Sequence, residues 1–434
     1  MTLKLAILGG VPTRLDAYPL HTTNIDEAEE NAVLDVLRGG HLSGFSARPG
    51  ERFLGGEKVK EFEENLAKHF NVKYAITFNS ATSALHGCMA AAGIGPGDEV
   101  ITSPYTMSAT PASIVMTNGV PVFADIEEST FGLEPESVRK AITPQTKAIL
   151  TVNIFGHPSR LYELKQIADE NGLILVEDNA QSPGVKYNQN ICGTVGEMGV
   201  LSLNYHKAIQ TGEGGVVITN SDKHAEHLRL VRNHAEVVVG STDRSDIINL
   251  LGWNYRLTEI QAAIGIEQLK KLDYLTGKRQ ELAELLTKRL SKYDFLVPPV
   301  VGENCEHGYY LYPIRYLKKK IDIPRNIFAK ALQAEGISIN EGYVKPIYLE
   351  PMFQKKLAYG ENHCPFKCPL YKGSVNYDKG ICPTTERMHF DEILVTDICK
   401  YPNTEVAVNE FISAIDKIVD NIQELKSHSN NIAD

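Results

Sequence analysis

The stretch from Lys147 to Ala180, KAILTVNIFGHPSRLYELKQIADENGLILVEDNA, decides the architecture. KAILTVNIFG reads as a strand, RLYELKQIADENG as a helix and LILVEDNA as a second strand. Both strands are continuous apolar runs, the pattern of strands covered on both faces, so the unit is a crossover within a parallel sheet. Working outward, EKVKEFEENLAKHF, NSATSALHGCMAAAG and TPASIVMTNG supply helices, while YAITF, GDEVITSP, VPVFADI, MGVLSLN and GGVVITN supply strands. The expectation is an α/β chain: a large domain over residues 1–265, with a mostly parallel central sheet sandwiched by helices. A long helical stretch, LTEIQAAIGIEQLKKLDYLTGKRQELAELLTKRL, bent or broken near its middle, leads into a smaller C-terminal α+β domain over 266–434. Its polar tail, from about 427, is expected to fray.

The 434 residues carry a net charge of −10, which argues against nucleic acid as a partner because phosphate binding leaves a basic footprint. No segment approaches the roughly 20 apolar residues of a membrane span, and the start lacks the pattern of a secretory leader. A cytoplasmic protein is expected. Seven cysteines, an odd number thinly spread, make no secreted disulfide framework. Cys364, Cys368 and Cys382 invite a metal reading, but their spacing lacks a second ligand pair, and no metal is expected.

In parallel sheets ligands bind beyond the carboxyl ends of the strands, so the polar residues there are the candidates for chemistry. Asp178 ends one strand. It could cap the following helix, or hold a cationic ring nitrogen in its protonated form. Lys207, in LSLNYHKAIQTGEGG (201–215), follows another strand and precedes a glycine turn. It could be structural, or a desolvated amine with nucleophilic character. NSATSAL (79–85) opens a helix after a strand, where backbone N–H groups and the helix dipole can hold a phosphate. Ser202 could add a hydroxyl to the same phosphate.

Taken together, NSATSAL, VEDNAQ, SLNYHKAIQTGEGG and LGWNYRLTEIQAAIGIEQL resemble the DegT/StrS-type sugar aminotransferases, pyridoxal phosphate enzymes of fold type I, in order over roughly residues 10–420. The resemblance implies that Lys207 forms the Schiff base with pyridoxal 5'-phosphate (PLP) and later carries the proton. Asp178 is then the partner of the pyridine nitrogen, with Gln181 near the ring. Ala81, Thr82 and Ser202 match the phosphate-binding positions. Asn254 matches a residue reaching the phosphate of a neighbouring subunit's cofactor, which implies a homodimer with shared active sites. Arg256, Tyr105, Asn204, Tyr343 and Lys345 match positions near the donor or the sugar. The cycle passes through pyridoxamine phosphate. It takes an amino group from glutamate or glutamine to a ketosugar, by resemblance a nucleotide-linked keto-deoxysugar; a keto-inositol is the alternative.

Two positions depart from the family pattern. Met107, in SPYTM, stands where an aromatic often covers the cofactor ring, and Asn204 stands where histidine often precedes the lysine by three. A subset of the family replaces the lysine by histidine and removes a hydroxyl instead, as a pyridoxamine phosphate-dependent dehydratase. Counting back from TGEGG puts Lys207, not His206, at that position, which favours transamination. Residues 41–55, 186–192 and 340–390, including Tyr348, are expected to shape the acceptor site.

Overall fold

The computed structural model describes residues 3–19, 24–240 and 247–433, with side chains through residue 428. Seven strands form the main sheet: β1 (Tyr74–Phe78), β2 (Glu99–Thr102), β3 (Val120–Phe123), β4 (Thr146–Val152), β5 (Ile174–Asp178), β6 (Met198–Ser202) and β7 (Gly215–Thr219). Their spatial order is β1-β7-β6-β5-β4-β2-β3. β2, β3, β4, β5 and β6 pair in parallel, while β7 runs antiparallel to both β1 and β6. The expected mostly parallel sheet is present, and its one reversal is functional. The link from Ser202 to Gly215 folds back across the carboxyl end of the sheet and carries Lys207 with it.

The apolar runs are continuous because alternate residues face two cores. Val100, Leu150 and Val176 pack with Ala84, Leu85 and Cys88 of helix α1 (Ala81–Ala91). Their neighbours Ile101, Ile149 and Leu175 pack with Leu164 and Ile167 of another helix, Leu161–Glu170. Burying both faces supplies the main driving force, roughly 25 cal/mol per Å² of apolar surface.

The outer strand β3 would present unpaired backbone to solvent. Residues 347–382 cover that edge. Phe353, Phe366, Tyr371, Tyr377 and Cys382 pack on Val120 and Phe123. Tyr377 donates to the Pro121 carbonyl at 2.6 Å, and Tyr371 to Glu99 Oε1 at 2.5 Å. The irregular cysteine-bearing segment is thus an edge cover built on aromatic residues. Tyr348, expected near the sugar, is fully buried in this cluster and hydrogen-bonds Glu386.

The long helical stretch breaks after Lys270 into Glu259–Leu269 and α2 (Leu272–Leu290). Leu272 and Leu275 pack with the large body, whereas Ala283, Leu286 and Leu290 belong to the C-terminal core. That core rests on a four-stranded antiparallel sheet of Leu296–Val297, Tyr312–Tyr316, Asn340–Glu341 and Ile393–Thr396. The start of the chain joins it too, although the sequence groups it with the large domain. Leu5 is buried there, and fully buried Glu335 accepts from the Ala6 and Thr13 amides and pairs with Lys417. A buried carboxylate needs such donors, and the N-terminal segment provides them. A final helix, Ile422–Ala433, takes in the tail expected to fray; its side chains from 429 lie outside the described residues.

Candidate active site

Successive side chains on β5 point to opposite faces, so Glu177 and Asp178 serve different ends. Glu177 is fully buried and accepts from the amides of Gly193, Val195 and Gly196 and from Asn153 Nδ2, which fixes the loop before β6. Asp178 ends the strand on the cofactor side. Its Oδ2 accepts from Thr110 Oγ1 at 2.8 Å and its Oδ1 from the Ala180 amide at 3.2 Å. Burial raises its pKa, while the bond from Thr110, the bond from Ala180 and the charge of Lys207 pull it down. The net shift is upward, so this is a carboxyl fixed in a dry site, which an adjacent cationic ring nitrogen would hold ionised while staying protonated itself.

Lys207 sits in the link after β6, where its amide donates to the Asn204 carbonyl at 2.9 Å. The side chain is 9% exposed, and its Nζ lies 4.4 Å from the centroid of the Tyr310 ring. Burial brings its pKa down to about 8; Asp178 opposes that and Arg279 reinforces it. An amine near neutrality is a nucleophile and a proton carrier, which a solvated lysine is not. Beside it, the His206 pKa is lowered to about 4 by burial and by the charge of Lys207, so the ring is neutral at pH 7. Its ring packs on Tyr205 and Tyr310.

The helix α1 begins with a capping box. Ser80 Oγ accepts from the Ser83 amide and Ser83 Oγ from the Ser80 amide, which leaves the amides of Ala81 and Thr82 outside the box. Gly215 approaches this turn so closely that a Cβ there would lie 2.4 Å from Ser80 C and O and 2.6 Å from Ala81 N. Ser202 pairs with Gly215 across β6 and β7. Residues 80–82, 202 and 215 therefore meet at one point, an anion cradle at a helix N-terminus.

Gln181 joins the two bodies. Its Oε1 accepts from the Phe155 amide at 2.7 Å, and its Nε2 donates to the Tyr343 hydroxyl at 3.0 Å. Phe155 holds φ at 58°, a left-handed conformation unusual for a bulky residue, and Gln181 uses the amide this exposes. The Tyr343 pKa is raised to about 12 by burial and by the charge of Asp178, so its phenol stays protonated.

One expected contact needs correction. Tyr105 is fully buried, and its hydroxyl accepts from the Tyr343 amide at 2.9 Å. It supports Tyr343 and offers no surface to a substrate. Met107, two residues on, is 58% exposed, because the strand has ended and the chain turns outward into the helix Ala109–Met116. Asn204 donates to Glu213 at 2.9 Å, while its buried Oδ1 meets no hydrogen-bond partner among the described residues. Arg256 Nε donates to Asn254 Oδ1 at 2.8 Å, and Asn79 reaches the Asn254 carbonyl. Lys345 lies apart, exposed and 3.3 Å from Glu350. Sequence reasoning missed Tyr310, Arg279 and Phe155. The aromatic run YYLY carried a signal, but nothing local ties it to Lys207.

A buried amine, a buried carboxylate and a helix N-terminus lie at the strand ends of a mostly parallel sheet, the arrangement of fold type I aminotransferases. Residues 25–389 match the model of the DegT/DnrJ/EryC1/StrS aminotransferase family, and the chain belongs to that family. It is 32% identical to the L-glutamine:2-deoxy-scyllo-inosose aminotransferase of Streptoalloteichus tenebrarius, over 84% of this chain and 87% of the relative. It is also 32% identical to the GDP-perosamine synthase of Caulobacter vibrioides, over 69% and 79%. Among solved structures, Helicobacter pylori PseC, an aminotransferase of pseudoaminic acid biosynthesis, superposes with a TM-score of 0.76 at 25% identity, covering 94% of this chain and all of that one. The family's cofactor is PLP, and the chemistry of the residues here fits it: a helix N-terminus that can hold a phosphate, a buried carboxylate and a buried amine. Among the described residues, no helix is long and apolar enough to cross a membrane.

Proposed function

We propose that this enzyme moves an amino group from L-glutamate or L-glutamine to a nucleotide-linked keto-deoxysugar. The observation that carries the reading is the buried Lys207 amine, with a pKa near 8, sharing a dry site with the Asp178 carboxylate. PLP, when bound, supplies the electron sink for the reacting carbon and carries the amino group between the two substrates as pyridoxamine phosphate. The chain does the rest. The amides of Ala81 and Thr82, with Ser202, hold the phosphate; Asp178 keeps the ring nitrogen protonated. Lys207 Nζ takes the proton from the donor's α-carbon and delivers one in the second half of the cycle. Gln181 holds Tyr343 beside the site, where a protonated phenol can donate to a substrate oxygen. Met107, exposed where the chain enters its helix, takes the ring-covering position.

Asn254 and Arg256 complete the site of a second copy in a cytoplasmic homodimer. In support, exposed Ile247, Ile248, Leu251 and Trp253 lie beside Asn254 in the sequence, an apolar concentration suited to an interface. Segments 41–55 and 186–192, with Tyr343 and the parts of 340–390 outside the edge cover, shape the acceptor site. A keto-inositol acceptor is the second reading, favoured by the likeness to the inosose aminotransferase. The test supplies the PLP-loaded protein with each donor and with either a nucleotide-linked keto-deoxysugar or a keto-inositol, and follows the aminated product by mass. Amination of the first class supports the proposal, and amination of the inositol alone transfers it to the second reading. Loss of a hydroxyl without amination establishes a dehydratase instead.

A further inference from the structure

Arg279, in α2, is 1% exposed, and neither its Nε nor its Nη2 meets a hydrogen-bond partner among the described residues. Its Nη1 makes one long bond, 3.5 Å, to the Tyr310 carbonyl. Burying a guanidinium so poorly paired costs several kcal/mol, a cost that an apolar side chain at this position would not carry. The neighbourhood suggests what the charge is for. The ring of the same Tyr310 lies 4.4 Å from Lys207 Nζ. Arg279 therefore holds the main chain of the residue whose aromatic face meets the Lys207 amine.

We propose that Arg279 is a positioning residue for Lys207: it pins Tyr310, whose ring seats the amine, and it places a poorly compensated positive charge behind that seat. The inference rests on the reading of Lys207 as the reacting amine. Among the described residues, the charged and titratable groups facing Lys207 include Asp178 from β5, His206 from its own link, Tyr310 from the C-terminal body and Arg279 from α2. Those facing Arg279 are Tyr310, Cys399 and Asp397. Asp178 alone would draw a proton onto Lys207, whereas Arg279 opposes it. The two together hold the amine near the point where it gives and takes a proton at neutral pH.

The test uses full-length, cofactor-free protein. Lysines are acetylated competitively with acetic anhydride at a series of pH values, and the Lys207 peptide is quantified by mass spectrometry. The wild-type midpoint is expected near 8. Arg279→Gln, which stays polar but carries no charge and falls short of the Tyr310 carbonyl, should raise the midpoint by about half to one pH unit. Arg279→Lys should return it to the wild-type value. Arg279→Met, which loses both pin and charge, should raise it at least as far as Gln. A folded Gln or Met variant with a wild-type Lys207 midpoint and only a lower melting temperature would overturn the inference, leaving Arg279 a structural residue. The reading beneath it fails separately, if borohydride fixes PLP on a different lysine of the wild-type protein.

Discussion

Replacing Gly215 by alanine isolates the anion cradle from the rest of the site. The new Cβ would lie 2.4 Å from Ser80 C and O and 2.6 Å from Ala81 N, all main-chain atoms that no side-chain rotation can move. Opening that contact merely to 3.0 Å requires about 0.6 Å of backbone displacement in an interior packed like a crystal. β7 is paired with β1 on one side and β6 on the other, so the first turn of α1 must yield. Overpacking of this kind costs about 1–3 kcal/mol. Where that cost falls on the bound geometry, PLP affinity drops by about 5–150-fold, at 1.4 kcal/mol per factor of ten. The assay is an absorbance titration of cofactor-free protein with PLP and, separately, with pyridoxal lacking the phosphate. The wild type should prefer PLP strongly, and Gly215→Ala should lose most of that preference while binding pyridoxal about as before. Gly277→Ala, whose Cβ meets nothing within 4 Å, is the control. A folded Gly215→Ala protein with unchanged PLP affinity, or with both ligands weakened equally, would refute the placement of the phosphate.

Asp178→Asn removes the fixed anion and should lower transfer by about 10²–10³-fold, with the circular dichroism spectrum retained; full activity would contradict its role. Acid should destabilise the joint between the two bodies. His157 accepts from the Gly302 amide and His307 from the Tyr309 amide, so both rings are held neutral, His157 with its pKa brought down to about 4 by burial. With an ordinary histidine near 6.5 in the unfolded chain, only that chain gains protons between the two values. Stability is therefore complete above about 6.5 and falls toward pH 4, by roughly 3 kcal/mol from His157 alone. Urea midpoints across that window measure it, and a flat profile would exclude it. Tyr377→Phe removes the bond to the edge-strand carbonyl at Pro121 and should cost about 1 kcal/mol in unfolding experiments without changing transfer rates.

The parts of the site that follow strands in order were legible. Asp178, Lys207 and the NSATSAL turn each lie within a few residues of a strand end, and strand ends are where a parallel sheet binds ligands. Parts contributed by the second body were not. Arg279 and Tyr310 approach Lys207 from 72 and 103 positions away and share no local pattern with it. Tyr105 was assigned by resemblance alone, and nothing in its local sequence shows that Tyr343 and Phe155 pack against its ring. The short apolar run at the N-terminus carried no sign that Leu5 would fill a core made mostly of residues beyond position 280. The edge cover could have been seen in the spacing of Phe353, Phe366, Tyr371 and Tyr377, had their aromatic character been weighed above the nearby cysteines.

The central claim is that Lys207 is the amine that holds and releases the cofactor. Borohydride treatment of the PLP-loaded protein, followed by peptide mapping, tests it most directly. A yellow protein whose colour L-glutamate or L-glutamine bleaches is expected, with a stable pyridoxyl adduct on Lys207 when borohydride is added first. An adduct on another lysine, or bound cofactor that forms no adduct at all, would contradict it.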